Sequence, residues 1–149
     1  MKLNILYGTQ FGSAEILAED FQTELAGRFD CSVAALDTVT PQQLSSEDLH
    51  LLLCSTTGSG ELPDNAEGFW KTLQTDKPDL SHIRFAIFGL GDRTYADTFN
   101  QGSEQLMVAM EACGAKRIGE RGLFDSSDGD MPEDIAFPWF ENLPLPVTT

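Results

Sequence analysis

Leu51, Leu52 and Leu53 lie in a short apolar run from Leu49 to Cys54. Successive side chains of a strand point to opposite faces, so a strand with no polar alternation must be covered on both sides. That places it in the middle of a parallel sheet with helices packed on each face. Leu3 to Tyr7, closed by Gly8, and Ile83 to Phe88, closed by Gly89, have the same short buried character. Between these runs the apolar spacing becomes helical. Ala14, Leu17, Ala18, Phe21 and Leu25 share one helix face, Glu15, Glu19, Asp20 and Glu24 lie off it, and Gly27 is a stop. Ala66, Phe69, Trp70 and Leu73 form a second such face. A third helix runs from Gln101 to Cys113, with Leu106, Met110 and Cys113 inward and Gly114 ending it. Cys31 to Leu36 reads as a thinner strand, and Thr40 to Leu44 as a short helix capped by Thr40 with Pro41 in its first turn. Arg117 to Phe124 is a weaker final strand, Pro132 to Phe140 a last helix, and the tail from Pro144 frays. Five strands alternating with helices predict a doubly wound α/β sandwich, and 149 residues suit a single domain.

Charge narrows the partners. With 9 Lys and Arg against 24 Asp and Glu the formal net charge is -15, so nucleic acid and anionic membrane surfaces are repelled. A protein that docks here should present a basic face. No apolar run reaches the length of a bilayer span, and the start Met1-Lys2-Leu3-Asn4-Ile5 lacks signal-peptide design, so a cytoplasmic location is expected. Cys31, Cys54 and Cys113 are odd in number and widely spaced, which argues against a disulfide framework or a metal site.

In a doubly wound sheet, ligands bind beyond the carboxyl ends of the strands. Three loops leave those ends. The first, Gly8-Thr9-Gln10-Phe11-Gly12-Ser13-Ala14, offers two hydroxyls, an amide, a flexible glycine and the unpaired N–H groups of a helix start. It is an anion site built without a cation, suited to a phosphate monoester, and it lacks the Gly-Lys-Ser/Thr of a nucleoside-triphosphate loop. Ser13 could equally be an ordinary N-cap. The second, Ser55-Thr56-Thr57-Gly58-Ser59-Gly60-Glu61-Leu62-Pro63-Asp64-Asn65, spans eleven residues where such connections usually run about 2 to 6. Its glycine pair could let backbone approach a planar ring, or Asp64 or Asn65 could simply cap the next helix. The third begins Gly89-Leu90-Gly91-Asp92 and carries Tyr95, placed to stack on a flat ligand, with Phe99 packed beneath and Asn100 at its end. Neither glycine pair completes the dinucleotide fingerprint. His50 and His82 flank strands outside these loops and read as structural, as do Cys54, Trp70 and Trp139.

At these residues the chain resembles the flavodoxin family. Thr9-Gln10-Phe11-Gly12-Ser13-Ala14-Glu15 is similar to its phosphate loop, Ser55 to Asn65 to its second flavin loop, and Phe88-Gly89-Leu90-Gly91-Asp92-Arg93-Thr94-Tyr95 with Phe99-Asn100 to its third. Lys77 to Ser81, Cys113 to Lys116 and Pro132-Glu133-Asp134 before Trp139 look more narrowly like short-chain MioC- and YqcA-type members. The third loop is also similar to the FMN domains of diflavin reductases. Ten residues between Gly114 and Asp125 leave no room for the extra loop of long-chain members.

The resemblance implies a three-layer sandwich with a five-stranded sheet of order 2-1-3-4-5 and one noncovalent FMN. The phosphate would lie on Thr9, Gln10, Gly12, Ser13 and Ala14, next to Phe11. The ring would lie between the other loops, among Ser55, Thr56, Thr57, Gly58, Ser59, Gly60 and Leu62 on one side and Gly89, Leu90, Gly91, Asp92, Tyr95, Phe99 and Asn100 on the other. Tyr95 would stack on its outer face and the Gly58 peptide would sit near its reactive nitrogen. Many relatives carry an aromatic in the second loop, where this chain offers Thr57 and Leu62. The implied function is single-electron transfer through a semiquinone, from a basic NAD(P)H-dependent flavodoxin reductase to acceptor enzymes, by a monomer with no catalytic residue of its own. Glu61, Asp64, Asp92 and Asp97 would lower the reduction potential. Relatives of the MioC type suggest a link to biotin synthesis. A flavin-dependent quinone or nitro reductase, or a flavin-free interaction module, are the alternatives.

Overall fold

The computed structural model describes residues 2–9, 12–55, 62–91, 101–125 and 130–144. Strands β1 (Lys2–Gly8), β2 (Asp30–Ala35), β3 (Leu49–Ser55), β4 (Arg84–Gly91), β5 (Lys116–Arg117) and β6 (Gly122–Asp125) alternate with helices α1 (Ser13–Leu25), α2 (Asp64–Asp76), α3 (Gln101–Ala112) and α4 (Pro132–Glu141). All pairings are parallel, in the order β2-β1-β3-β4-β5, with β6 also on β4. This is the order that the resemblance implies. No helix of the described residues is long and apolar enough to cross a membrane.

The continuous apolar strands are buried from both sides. Leu3, Ile5, Leu49, Leu51, Leu53, Ala86 and Phe88 face α1 and α4, where Leu17, Phe21, Ala136 and Phe140 complete one half of the core. Leu6, Leu52, Cys54, Phe85 and Ile87 face α2 and α3, meeting Ala66, Phe69, Leu73, Leu106 and Met110. Trp70 and Cys113, expected on the inner faces, are half-buried at the margin of this second half. Trp139 lies on Phe88, with ring centroids 5.2 Å apart, and its indole N–H donates to the Glu120 carbonyl at 3.0 Å.

Three local expectations are corrected. The short helix at Thr40 to Leu44 is one 3-10 turn, Pro41–Gln43. Strand β4 does not stop at Phe88 but continues to Gly91, because Gly89 and Leu90 pair on both sides, with Cys54 and Ser55 of β3 and with Leu123 and Phe124 of β6. The final strand is split. Phe85 pairs with Arg117 and Phe88 with Gly122, so three steps along β4 are matched by five on its neighbour. The extra chain bulges at Gly119, whose φ of 71° is left-handed and whose added Cβ would lie 2.7 Å from Leu143 Cδ2.

His50 on β3 is fully buried, with Nδ1 3.1 Å from the Arg84 carbonyl. That partner assigns the proton to Nδ1. Among the described residues Nε2 has no hydrogen-bond partner. Desolvation pushes the ring's pKa below its ordinary value, against the opposing pull of the Arg84 carbonyl and Asp48. The unfolded chain then takes up a proton that the folded chain refuses, so stability falls with pH below about 6.5, by up to about 1.4 kcal/mol per pH unit. His50→Leu should remove this slope in denaturant titrations at pH 5 to 7; an identical slope in the variant would assign it to other groups.

Candidate functional site

The carboxyl ends of β1, β3 and β4 lie side by side, since Gly8 pairs with Cys54, Cys54 with Gly89 and Ser55 with Leu90. The chain leaves β1 toward β2 on one side and reaches β3 on the other, so the order reverses between β1 and β3. Connections depart there to opposite faces and open a crevice, the place where open α/β sheets hold ligands.

The first loop enters α1 through Gly12, at φ 94° and ψ -5°. That left-handed backbone turns the chain so that the Gly12 N–H donates to Thr9 Oγ1 at 2.9 Å, while its carbonyl accepts from Ile16 N–H at 3.0 Å. Among the described residues no side chain caps the helix. Ser13 is therefore no N-cap: it is the first helical residue, and its hydroxyl lies 3.2 Å from that of Ser55 at the end of β3. The first-turn N–H groups of α1, Ser13 and Ala14 among them, have no intrahelical acceptor and point out of the helix end. Glu15, in the same turn, would oppose an anion there. Its carboxylate accepts from the Tyr7 hydroxyl at 3.2 Å, and desolvation, followed by the Glu15 charge, pushes the Tyr7 phenol above its ordinary pKa.

Two contacts brace this loop from beneath. Gly8 passes so close to α2 that an added Cβ would lie 2.6 Å from Ala66 Cβ. Asn65 Oδ1 accepts from the Thr9 N–H at 2.7 Å. Sequence reasoning offered Asp64 or Asn65 as caps of α2, but the N-cap is Pro63, which makes no side-chain cap bond. The Asn65 amide, on the second residue of α2, reaches across to the first loop instead. Its one sequence signal was an amide at the entry of a helix after a glycine-rich loop. Asn65→Ala should leave the Thr9 N–H without its acceptor and weaken binding of a phosphate ester roughly fivefold, the worth of about one hydrogen bond. Calorimetric titration with FMN would read this, and undiminished affinity would remove Asn65 from the site.

The remaining expected residues divide. Leu62 is 7% exposed and packs into the α2 and α3 half of the core. Gly89 and Leu90 belong to the sheet, Leu90 being buried on the α1 and α4 face, and Gly91 is the half-buried strand end. Gln10, Phe11, Thr56, Thr57, Gly58, Ser59, Gly60, Asp92, Tyr95, Phe99 and Asn100 lie outside the described residues. Asp125, which no sequence pattern singled out, pairs with Gly91 and is 8% exposed. Cys54 is buried, its thiol near the Ser55 carbonyl, and desolvation pushes its pKa up to about 12, so it is an inert thiol. Among the described residues no cluster of His, Cys, Asp and Glu could hold a metal ion.

These groups fit a phosphate ester without a cation: open helix N–H groups, hydroxyls from two strand ends, and a glycine with nothing among the described residues within 4 Å of where its Cβ would stand. The family model for flavodoxin matches residues 5–139. Protein MioC of Escherichia coli O157:H7 is 35% identical over 137 residues, 92% of each chain. NADPH-dependent diflavin oxidoreductase 1 of Yarrowia lipolytica is 33% identical over 147 residues, which cover 93% of this chain and 21% of that larger protein. Among solved structures, a cysteine-to-serine mutant of flavodoxin from Pseudomonas aeruginosa has a TM-score of 0.82 at 31% identity, over 95% of both chains.

Proposed function

This chain belongs to the flavodoxin family, flavin-dependent electron-transfer proteins, and from that premise we propose that it binds one FMN and carries single electrons from an NAD(P)H-dependent reductase to acceptor enzymes. The observation that carries the proposal is the uncapped start of α1 at the switch point, braced by Thr9, Gly12 and Asn65. Thr9, Gln10, Gly12, Ser13 and Ala14 hold the phosphate. The second loop, with Gly58, and the third, with Gly91, Asp92 and Tyr95, hold the ring between them.

When bound, FMN supplies the one-electron chemistry. The chain's own part is to bind, orient and tune. Backbone N–H groups and hydroxyls bind the phosphate without a neutralising cation, so the site stays electronegative. Burial keeps the Cys54 thiol, at the end of β3, protonated and unreactive. A formal charge of -15 draws in a basic partner. The protein works as a cytoplasmic monomer that exchanges partners through one face.

Titration of the purified chain with FMN and with riboflavin, followed by stepwise anaerobic reduction, tests this reading. Stoichiometric FMN binding, weaker riboflavin binding and reduction in two resolved one-electron steps are expected. Absence of FMN binding at micromolar concentration would overturn it.

A further inference from the structure

Helices α1 and α4 pack side by side on one face of the sheet, and their C-terminal halves leave a cleft of about 250 Å³ between them. Helix α1 leaves the carboxyl end of β1 and returns the chain to Asp30, which pairs with Lys2. The cleft therefore lies at the amino ends of the strands, opposite the candidate flavin site. Its floor is apolar: Phe21, Leu25 and Phe140 are buried there, with the Phe21 and Phe140 ring centroids 5.6 Å apart. Two rings of α4 form the wall. Phe137 is half-buried and meets Phe21 edge-on at 5.0 Å, and Pro138 is exposed inside the helix, a costly position for a proline.

The rim is anionic. Glu24 and Glu141 line it, each exposed and each in the last turn of its helix, the negative end of the helix dipole. Neither last turn carries a basic residue. Arg28 pairs with Glu141, and its guanidinium lies 5.7 Å from the centroid of the Phe29 ring. One cation of this chain thus already rests on a carboxylate and a ring at the edge of the cleft. Glu24 has no ion pair among the described residues. Aromatic walls beside an uncompensated carboxylate, at two helix C-termini, favour a cation that is apolar over most of its length.

We infer that this cleft is a binding site for a small organic ammonium ion, its apolar body against Phe21 and Phe137 and its charged end at the Glu24 carboxylate. The cleft has the volume of about eight water molecules, which is room for one ring with a short alkyl chain. Arg28, held at Glu141, repels a second cation there, so the ammonium end is directed to Glu24. The site is remote from the strand ends that would hold a flavin and does not depend on the flavin-binding reading.

The test is a chemical-shift titration of the whole chain in about 0.15 M salt with benzylammonium and, as its neutral counterpart, benzyl alcohol. Saturable shifts are expected at Phe21, Glu24, Leu25 and Phe137, with the ammonium bound about threefold more tightly than the alcohol, or better. Glu24→Gln should weaken ammonium binding roughly two- to fivefold and leave alcohol binding unchanged. Glu67→Gln makes the same change of net charge on α2, across the sheet, and should affect neither ligand. Phe137→Ala should weaken both ligands; if that variant does not fold, the two glutamate variants decide. No saturable shift at these residues up to about 10 mM, equal binding of ammonium and alcohol by wild type, or equal losses in Glu24→Gln and Glu67→Gln would overturn the inference, the last because net charge alone would then account for the attraction.

Discussion

Gly12→Ala is expected to weaken FMN binding about ten- to a hundredfold while leaving riboflavin binding nearly unchanged. The φ of 94° costs an L-residue about 1 to 2 kcal/mol, so alanine turns the peptide toward ordinary angles. That rotation breaks the Gly12 N–H bond to Thr9 Oγ1 and re-aims the Ser13 N–H at the helix start. A hydrogen bond to a charged group is worth about 1.5 to 3 kcal/mol, so losing even part of one accounts for the expected range. Among the described residues the new Cβ meets nothing within 4 Å, so the expected loss comes from the backbone angle. Riboflavin lacks the phosphate and should not register the change. Parallel fluorescence titrations with the two flavins measure the contrast, and an equal loss for both would place the phosphate somewhere other than the start of α1.

Gly8→Ala acts on the same loop through packing and should lower stability by about 2 to 4 kcal/mol, a fall in Tm of roughly 5 to 12 °C. The added methyl would lie 2.6 Å from Ala66 Cβ and 3.3 Å from Leu36 Cδ1. Neither the strand nor the helix can yield cheaply, since β1 is paired with both β2 and β3. If α2 moves outward, Asn65 moves with it and the 2.7 Å bond to the Thr9 N–H is strained, so FMN affinity should fall as well. Ala66→Gly supplies the control. Alone it should cost about 1 kcal/mol as a glycine inside a helix. Combined with Gly8→Ala it removes the obstructing methyl, and the pair should be more stable than the sum of the two by at least 1 kcal/mol. Purely additive denaturation energies would mean that the Gly8 and Ala66 contact does not limit the approach of β1 to α2.

The residues that were legible in the sequence owe their legibility to local physics. Leu51, Leu52 and Leu53 announced a strand covered on both faces, and they are fully buried between two helical layers. Ala14, Leu17, Ala18, Phe21 and Leu25 announced the inner face of α1, which they form. Thr9, Gly12 and Ser13 stood out as an anion loop because their residue types suit that chemistry, and the structure brings Ser13 next to Ser55. Residues whose roles depend on distant partners were not legible. Asn65 looked like a local cap until β1 was placed beside α2, and Leu62 looked like loop until its burial under α2 was seen. Gly89 and Leu90 read as loop because β6, the neighbour that keeps them in the sheet, could not be aligned from the sequence. Arg121 had no pattern at all: the bond that its Nη1 donates to Ser103 Oγ at 2.7 Å joins residues 18 apart, Ser103 lying in the first turn of α3.

The amino-acid sequence by itself determined the kind of each element, the helical faces, the two-sided sheet and the chemistry available at its carboxyl ends. These follow from periodicity and from side-chain chemistry, which act over a few residues. Tertiary structure alone decided the strand registers, the split of the last strand, the clamp from Asn65 to Thr9 and the siting of Arg121. Those depend on which atoms far apart in the chain meet, and close packing, with tolerances below the size of a methyl group, selects among pairings that the sequence pattern allows equally.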